Sequence, residues 1–318
     1  MLIDPALFND DAVADETRLF NAGLQQILTV LPDMTTFPPE QIRQDRREGK
    51  SWMGAVVYSD LARTVTIDGP AGDLDLRVID AGDSNGVYLH MHGGGWVLGA
   101  ADLSDVPNEA MARAAGVTVV SVEYRLAPEH PYPAGLDDCV AAAEWLIVNG
   151  ESTFGTDRFA IGGESAGANL AAATLLRVRD EVGYTGWAGA NLVYGSYLVE
   201  GSPSVRQWAT EGLILDPDSM TWFGNHYLSD RAADLTDPYV SPLYGHLDDM
   251  PPALFTVGTW DPLLDDTLFM ASRWLVAGNE TELAVYPGGT HAFDAFPIGI
   301  AGTARDRMHG FVRDAVTR

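Results

Sequence analysis

The chain has 318 residues, 46% of them apolar, enough to bury one large α/β core or two smaller ones. Its net charge of −26, with Lys50 as the only lysine, repels nucleic acid and anionic membranes and argues against both as partners. Cys139 is the single cysteine, which excludes an internal disulfide and a multi-cysteine metal site; on a predicted helix it reads as a small buried hydrophobe.

The first residues, MLIDPALFNDDAVADE, are acidic where a signal peptide is basic and then apolar. No stretch approaches about 18 uninterrupted apolar residues, so a soluble, cytoplasmic protein is expected. Apolar residues then recur at helical spacing (Leu19, Leu24, Ile27, Leu28, Leu31) up to a Pro-rich break at 38–39. From residue 64 the chain alternates. Apolar, β-branched runs at 64–67, 74–79, 87–92, 117–124, 158–163, 188–194, 253–258 and 283–287 predict strands. Segments of helical period lie between the later ones, at 103–115, 135–149, 166–181 and 263–277, with a last one near 303–317. This order predicts a mostly parallel, doubly wound sheet with helices on both faces and a hairpin-like edge from the first two strands.

Two segments fall outside the rhythm. Residues 1–60, and an insertion at about 196–235 that contains MTWFGNHYL, are expected to cap the C-terminal edge of the sheet, where open α/β sheets bind ligands. The catalytic domain is then 61–318.

Gly163-Glu164-Ser165-Ala166-Gly167 matches Gly-x-Ser-x-Gly with a predicted strand before it and a predicted helix after it. That context predicts a sharp turn that lifts the Ser165 hydroxyl above the sheet as a nucleophile. A serine needs a base. Of seven histidines, His291 stands on a loop directly after the last predicted strand. Chain order Ser, acid, His leaves only His291 or His309 once an acid after residue 250 is chosen, and the strand-end position favours His291. Asp261, just past the 253–258 strand and stiffened by Pro262, is the acid that fixes the imidazole; Asp265 and Asp266 are rivals, expected to cap or solvate the following helix. Attack on a carbonyl creates an oxyanion that needs amide donors already in place. Ala166 supplies one, and the loop His92-Gly93-Gly94-Gly95 the others. His92 reads as an anchor of that loop and not as the base. The same glycines lack the spacing of a dinucleotide loop and the Gly-Lys-Ser/Thr ending of a phosphate loop.

The chain resembles the hormone-sensitive-lipase-type branch of the α/β-hydrolases, the bacterial family IV carboxylesterases. The resemblance rests on HGGGW at 92–96, VEYRLAPEHPYPAGLDD at 122–138, GESAG at 163–167, DPLLDD at 261–266 and HAF at 291–293. It implies an α/β-hydrolase fold with an eight-stranded, mostly parallel sheet and a helical cap. It implies a triad of Ser165, Asp261 and His291, an oxyanion hole of Gly93, Gly94 and Ala166, no metal or organic cofactor, and a possible homodimer. Glu164 stands where the family more often has aspartate, and Ala168 where it often has glycine. Trp96, Glu164 and Trp222 are the candidates for contact with substrate. Aromatic residues of the insertion (Trp208, Trp222, Phe223, Tyr227) suggest an enclosed apolar pocket for a short- or medium-chain acyl ester, unless they form the core of the cap. Amide, lactone or aryl-ester hydrolysis on the same site, or a non-catalytic binding role, are the alternatives. The acidic surface reads as a solvated shell, with adaptation to high salt as the other reading.

Overall fold

The structure, a computed structural model, describes residues 3–208, 213–229 and 234–318. The insertion expected at about 196–235 therefore includes two stretches, 209–212 and 230–233, that lie outside the described residues.

In the N-terminal segment α1 (Asp15–Thr29) is followed by α2 (Pro39–Arg47). The Pro-rich break starts this second helix, because Pro39 occupies its first position, where a missing N–H costs nothing. Strands β1 (Ala62–Gly69) and β2 (Gly72–Ile79) pair antiparallel as the predicted edge hairpin. Next come β3 (Val87–Met91), α3 (Asp105–Ala115), β4 (Thr118–Val122), α4 (Ala134–Phe154), β5 (Phe159–Glu164), α5 (Ala166–Val182) and β6 (Gly189–Val193). The insertion carries the short α6 (Pro203–Arg206) and α7 (Pro217–Leu228), and the chain ends with β7 (Ala253–Trp260), α8 (Leu264–Val276), β8 (Thr281–Thr290) and α9 (Gly299–Thr317). Left-handed glycines stop three of the helices: Gly116 after α3, Gly155 after α4 and Gly183 after α5.

The sheet order is β1-β2-β4-β3-β5-β6-β7-β8. Beyond the antiparallel β1, β2 and β4 contacts, every neighbouring pair is parallel. All residues of β3, β4 and β6 are buried, which is why they read as continuous apolar runs. One core layer joins the sheet to α4, α5 and α8, the other to α3 and α9.

The apolar positions of α1 do not form its buried face. Leu24 is buried, but Leu19 is 75% and Ile27 52% exposed, while Thr17 and Asn21 are buried. The helix lies against the end of β8, and Asn21 Nδ2 donates to the Gly288 carbonyl at 2.8 Å. A small polar residue suits that contact; a leucine would leave the carbonyl unpaired. The insertion meets the N-terminal segment where α7 packs on the turn Met34–Thr36. A capping box at Asp216 and Ser219 fixes the start of α7.

Candidate active site

Ser165 sits between β5 and α5 with φ 57° and ψ −122°, a conformation an L-residue holds only when its surroundings impose it. Close packing imposes it here. A Cβ on Gly163 would lie 2.2 Å, and one on Gly167 2.0 Å, from the Met91 carbonyl oxygen at the end of β3. Glycine at both flanks lets the turn press against β3, and the Ser165 N–H donates to the Val193 carbonyl of β6 at 2.9 Å.

Two other strand ends bring their residues to this turn. His291 Nε2 is 2.9 Å from Ser165 Oγ, and His291 Nδ1 is 2.9 Å from Asp261 Oδ2. Asp261 is fully buried and its second oxygen accepts the Leu263 N–H at 2.8 Å, so both carboxylate oxygens are committed. With Nδ1–H directed at Asp261, Nε2 presents a lone pair to the serine hydroxyl.

The rivals have other partners. Asp266 is fully buried and its Oδ1 accepts the amides of Tyr197 and Leu198 at 2.8 and 2.9 Å, so it neither caps its own helix nor meets solvent. Burial pushes its carboxyl up to about 7, against the hydrogen bonds that favour the charged form. Asp265 accepts the Ser204 N–H at 2.8 Å. The two carboxylates thus staple the start of the insertion to the segment that carries Asp261.

The glycine loop differs from expectation at one position. Gly93 N–H donates to Glu164 Oε1 at 2.8 Å, so this amide is already paired and does not face an incoming oxygen. Among the described residues the amides of Gly94, Gly95 and Ala166 have no protein acceptor. The Gly94 carbonyl accepts from Val97 and Leu98, closing a tight turn at φ 119°; a Cβ there would lie 2.3 Å from the Leu98 carbonyl oxygen. The glycine is required by the turn itself.

Glu164 also differs from its expected place at the substrate. Its other oxygen meets His90 Nε2 at 2.9 Å, and His90 Nδ1 meets Ser121 Oγ at 2.8 Å, tying the loop to β3 and β4. Burial raises the Glu164 carboxyl, but the His90 ring and the Gly93 N–H outweigh it and hold the group below its ordinary value. His92 is the anchor the sequence predicts. It stacks on Tyr124 at 4.1 Å, its Nδ1 lies 2.8 Å from the Gly93 carbonyl oxygen, and burial lowers it to about 4, so it stays neutral.

Trp96 is buried and stacks on Tyr227 of α7 at 4.4 Å, as a wall between loop and insertion. Phe223, and not Trp222, is the ring that touches the glycine loop: a Cβ on Gly95 would lie 2.2 Å from it. Trp222 is half-buried against Phe223 and His226. Arg43 of α2 is absent from the predicted set. Its guanidinium donates to the carbonyls of Val97 and Ala127 at 2.7 Å each and pairs with Glu129, joining the glycine loop to the segment after β4.

A family described by the α/β-hydrolase fold matches residues 88–295. Carboxylesterase NlhH of Mycobacterium tuberculosis is 34% identical over 322 residues, spanning 98% of this chain and 92% of that protein. Ethyl acetate hydrolase of Pseudomonas putida is 36% identical over 214 residues, 64% of this chain and 65% of that protein. The solved structure of a hyperthermophilic esterase from the archaeon Pyrobaculum calidifontis superposes with a TM-score of 0.84 at 30% identity, covering 99% of this chain and 100% of that one.

Proposed function

The chain belongs to the hormone-sensitive-lipase-like carboxylesterases of the α/β-hydrolase fold and is a carboxylic ester hydrolase; from that premise we propose that it cleaves short- to medium-chain acyl esters through Ser165, His291 and Asp261. His291 Nε2 takes the Ser165 proton as Oγ attacks the ester carbonyl. The carbonyl oxygen becomes an oxyanion held by the amides of Gly94, Gly95 and Ala166, each worth about 3–4 kcal/mol of barrier. The alcohol leaves with the proton from His291, and the acyl group stays on Ser165. Water then enters, loses a proton to the same nitrogen and releases the acid. Asp261 holds the tautomer and stabilises the imidazolium.

One observation carries this reading: the unbroken contact chain from Ser165 Oγ through both imidazole nitrogens to a buried carboxylate, with 2.9 Å at each step. We propose further that the N-terminal segment and the insertion together form a cap. Support for a short acyl group comes from Phe223 lying on the glycine loop and from the likeness to a protein named ethyl acetate hydrolase.

The test is a chain-length series of p-nitrophenyl esters with wild type and Ser165→Ala. Activity is expected to be highest on acetate to hexanoate, and Ser165→Ala to lower kcat by about four orders of magnitude or more. Retained activity in the variant would sink the nucleophile assignment, and a rise toward long chains would sink the pocket.

A further inference from the structure

A hydrogen bond at Nδ1 aims an imidazole but leaves it free to turn about the bond axis. His291 has to stay in line with Ser165 Oγ while it accepts a proton and then delivers it to a different oxygen. A second contact must hold the ring against that rotation. Tyr194, at the end of β6, packs its ring against His291 with centroids 4.8 Å apart and planes at 62°. Its backbone has φ 35°, outside the range of ordinary strand residues, and its N–H donates to the Thr256 carbonyl of β7 at 2.7 Å. Its hydroxyl donates to Asp294 Oδ1 at 2.6 Å, and Asp294 lies three residues beyond His291 on the same loop. The backbone carbonyl of Asp294 is itself held by Arg305 of α9.

From this geometry we infer that Tyr194 and Asp294 are positioning residues for the base. The phenol is a strut from the sheet to the loop: one end is fixed on β6, the other is tied to Asp294, and the ring between them packs edge-to-face with the imidazole. Asp261 sets the edge of the ring and Tyr194 sets its plane. Burial raises both the Tyr194 phenol, well above its ordinary value, and the Asp294 carboxyl, so the phenol stays protonated and remains a donor throughout the working range. Neither group exchanges a proton with substrate. The inference rests on His291 being the base, and it concerns kcat and not substrate affinity.

The experiment compares Tyr194→Phe, Asp294→Ala, Asp294→Asn and the double variant Tyr194→Phe/Asp294→Ala on p-nitrophenyl acetate, with Ser165→Ala as reference and melting temperatures for all. Tyr194→Phe keeps the ring and unties it; kcat is expected to fall about tenfold with KM within twofold, the size of a small misplacement of a catalytic group. Asp294→Ala should give the same loss. The double variant should lose no more than either single one, since both cut one link. Asp294→Asn keeps an acceptor oxygen for the phenol and should stay within threefold of wild type. The strut is overturned if the single variants retain kcat within twofold, if the losses multiply in the double variant, or if Asn fails to rescue. Loss of activity in Ser165→Ala together with an unchanged Tyr194→Phe rejects the strut alone; activity retained in Ser165→Ala rejects the catalytic reading and the strut with it.

Discussion

A carboxylate next to a nucleophile is an uncomfortable neighbour for a reaction that builds negative charge, so the position of Glu164 calls for an account. Its charge is spent elsewhere: one oxygen on the Gly93 amide, the other on His90. Anchoring Gly93 fixes where the next two amides point, and donors set before the reaction are worth more than donors that must reorganise. Glu164→Ala should therefore lower kcat about tenfold to a hundredfold with little change in KM, the range expected when a loop of donors shifts by around an ångström. Glu164→Gln can still accept from Gly93 and donate to His90 if that ring switches tautomer, and kcat should stay within about fivefold. Steady-state kinetics on a short p-nitrophenyl ester decide. Equal losses in both variants would mean that the charge and not the anchor matters.

At the scale of elements, the boundary between what the sequence disclosed and what it concealed follows the range of the contacts. Ser165, Asp261 and His291 each stand at a strand end inside a local turn, so a short pattern and a predicted strand locate them. The inner strands β3, β4 and β6 are legible because burial on both faces leaves a run of apolar residues. Arg43 is not legible: its partners are backbone carbonyls at 97 and 127, and a bond to a carbonyl leaves no mark on the partner's identity. Tyr194 and Asp294 are concealed for a different reason: their side-chain pairing crosses 100 residues. The buried face of α1 is not legible either, because Asn21 answers a backbone carbonyl, which hydropathy does not register.

Asp266 also belongs to this scale, because it joins α8 to the start of the insertion. Its folded value of about 7 lies above the ordinary 3.8. The native state therefore binds the extra proton, and between about pH 4 and pH 7 this group makes stability fall as pH rises, with no further change above. Asp266→Asn keeps an acceptor for the Tyr197 and Leu198 amides and removes the titration. The variant should gain on wild type as pH rises through that window, by roughly 4 kcal/mol at pH 8 relative to pH 4. Denaturant melts at several pH values read the difference; a constant offset would show that Asp266 does not titrate in that range.

For the whole molecule the dominant fact is the excess of 45 acidic over 19 basic residues. Most basic side chains already sit beside a carboxylate, as Arg43 does with Glu129, Arg77 with Asp105, Arg125 with Asp138 and Arg177 with Asp137. The net charge of −26 is left uncompensated, and the mutual repulsion of the excess carboxylates opposes the compact state. Added salt screens exposed attraction and repulsion alike, but exposed ion pairs contribute only about 0–1 kcal/mol each, and pairs with a buried carboxylate such as Arg77–Asp105 and Arg125–Asp138 are screened little, so the relief of repulsion prevails. The melting temperature should therefore rise by several degrees between about 0.05 and 1 M sodium chloride, where the screening length shrinks from over 10 Å to about 3 Å. Potassium chloride at equal ionic strength should act alike if screening is the cause. The proposed substrate is uncharged and its site is built from short hydrogen bonds, so kcat should change less than about twofold over the same range. A melting temperature that stays flat or falls would show that the acidic surface is solvated without strain; a kcat that climbs with the melting temperature would show that repulsion reaches the site, most directly through the N-terminal helix whose Asn21 holds the Gly288 carbonyl of β8, three residues before His291.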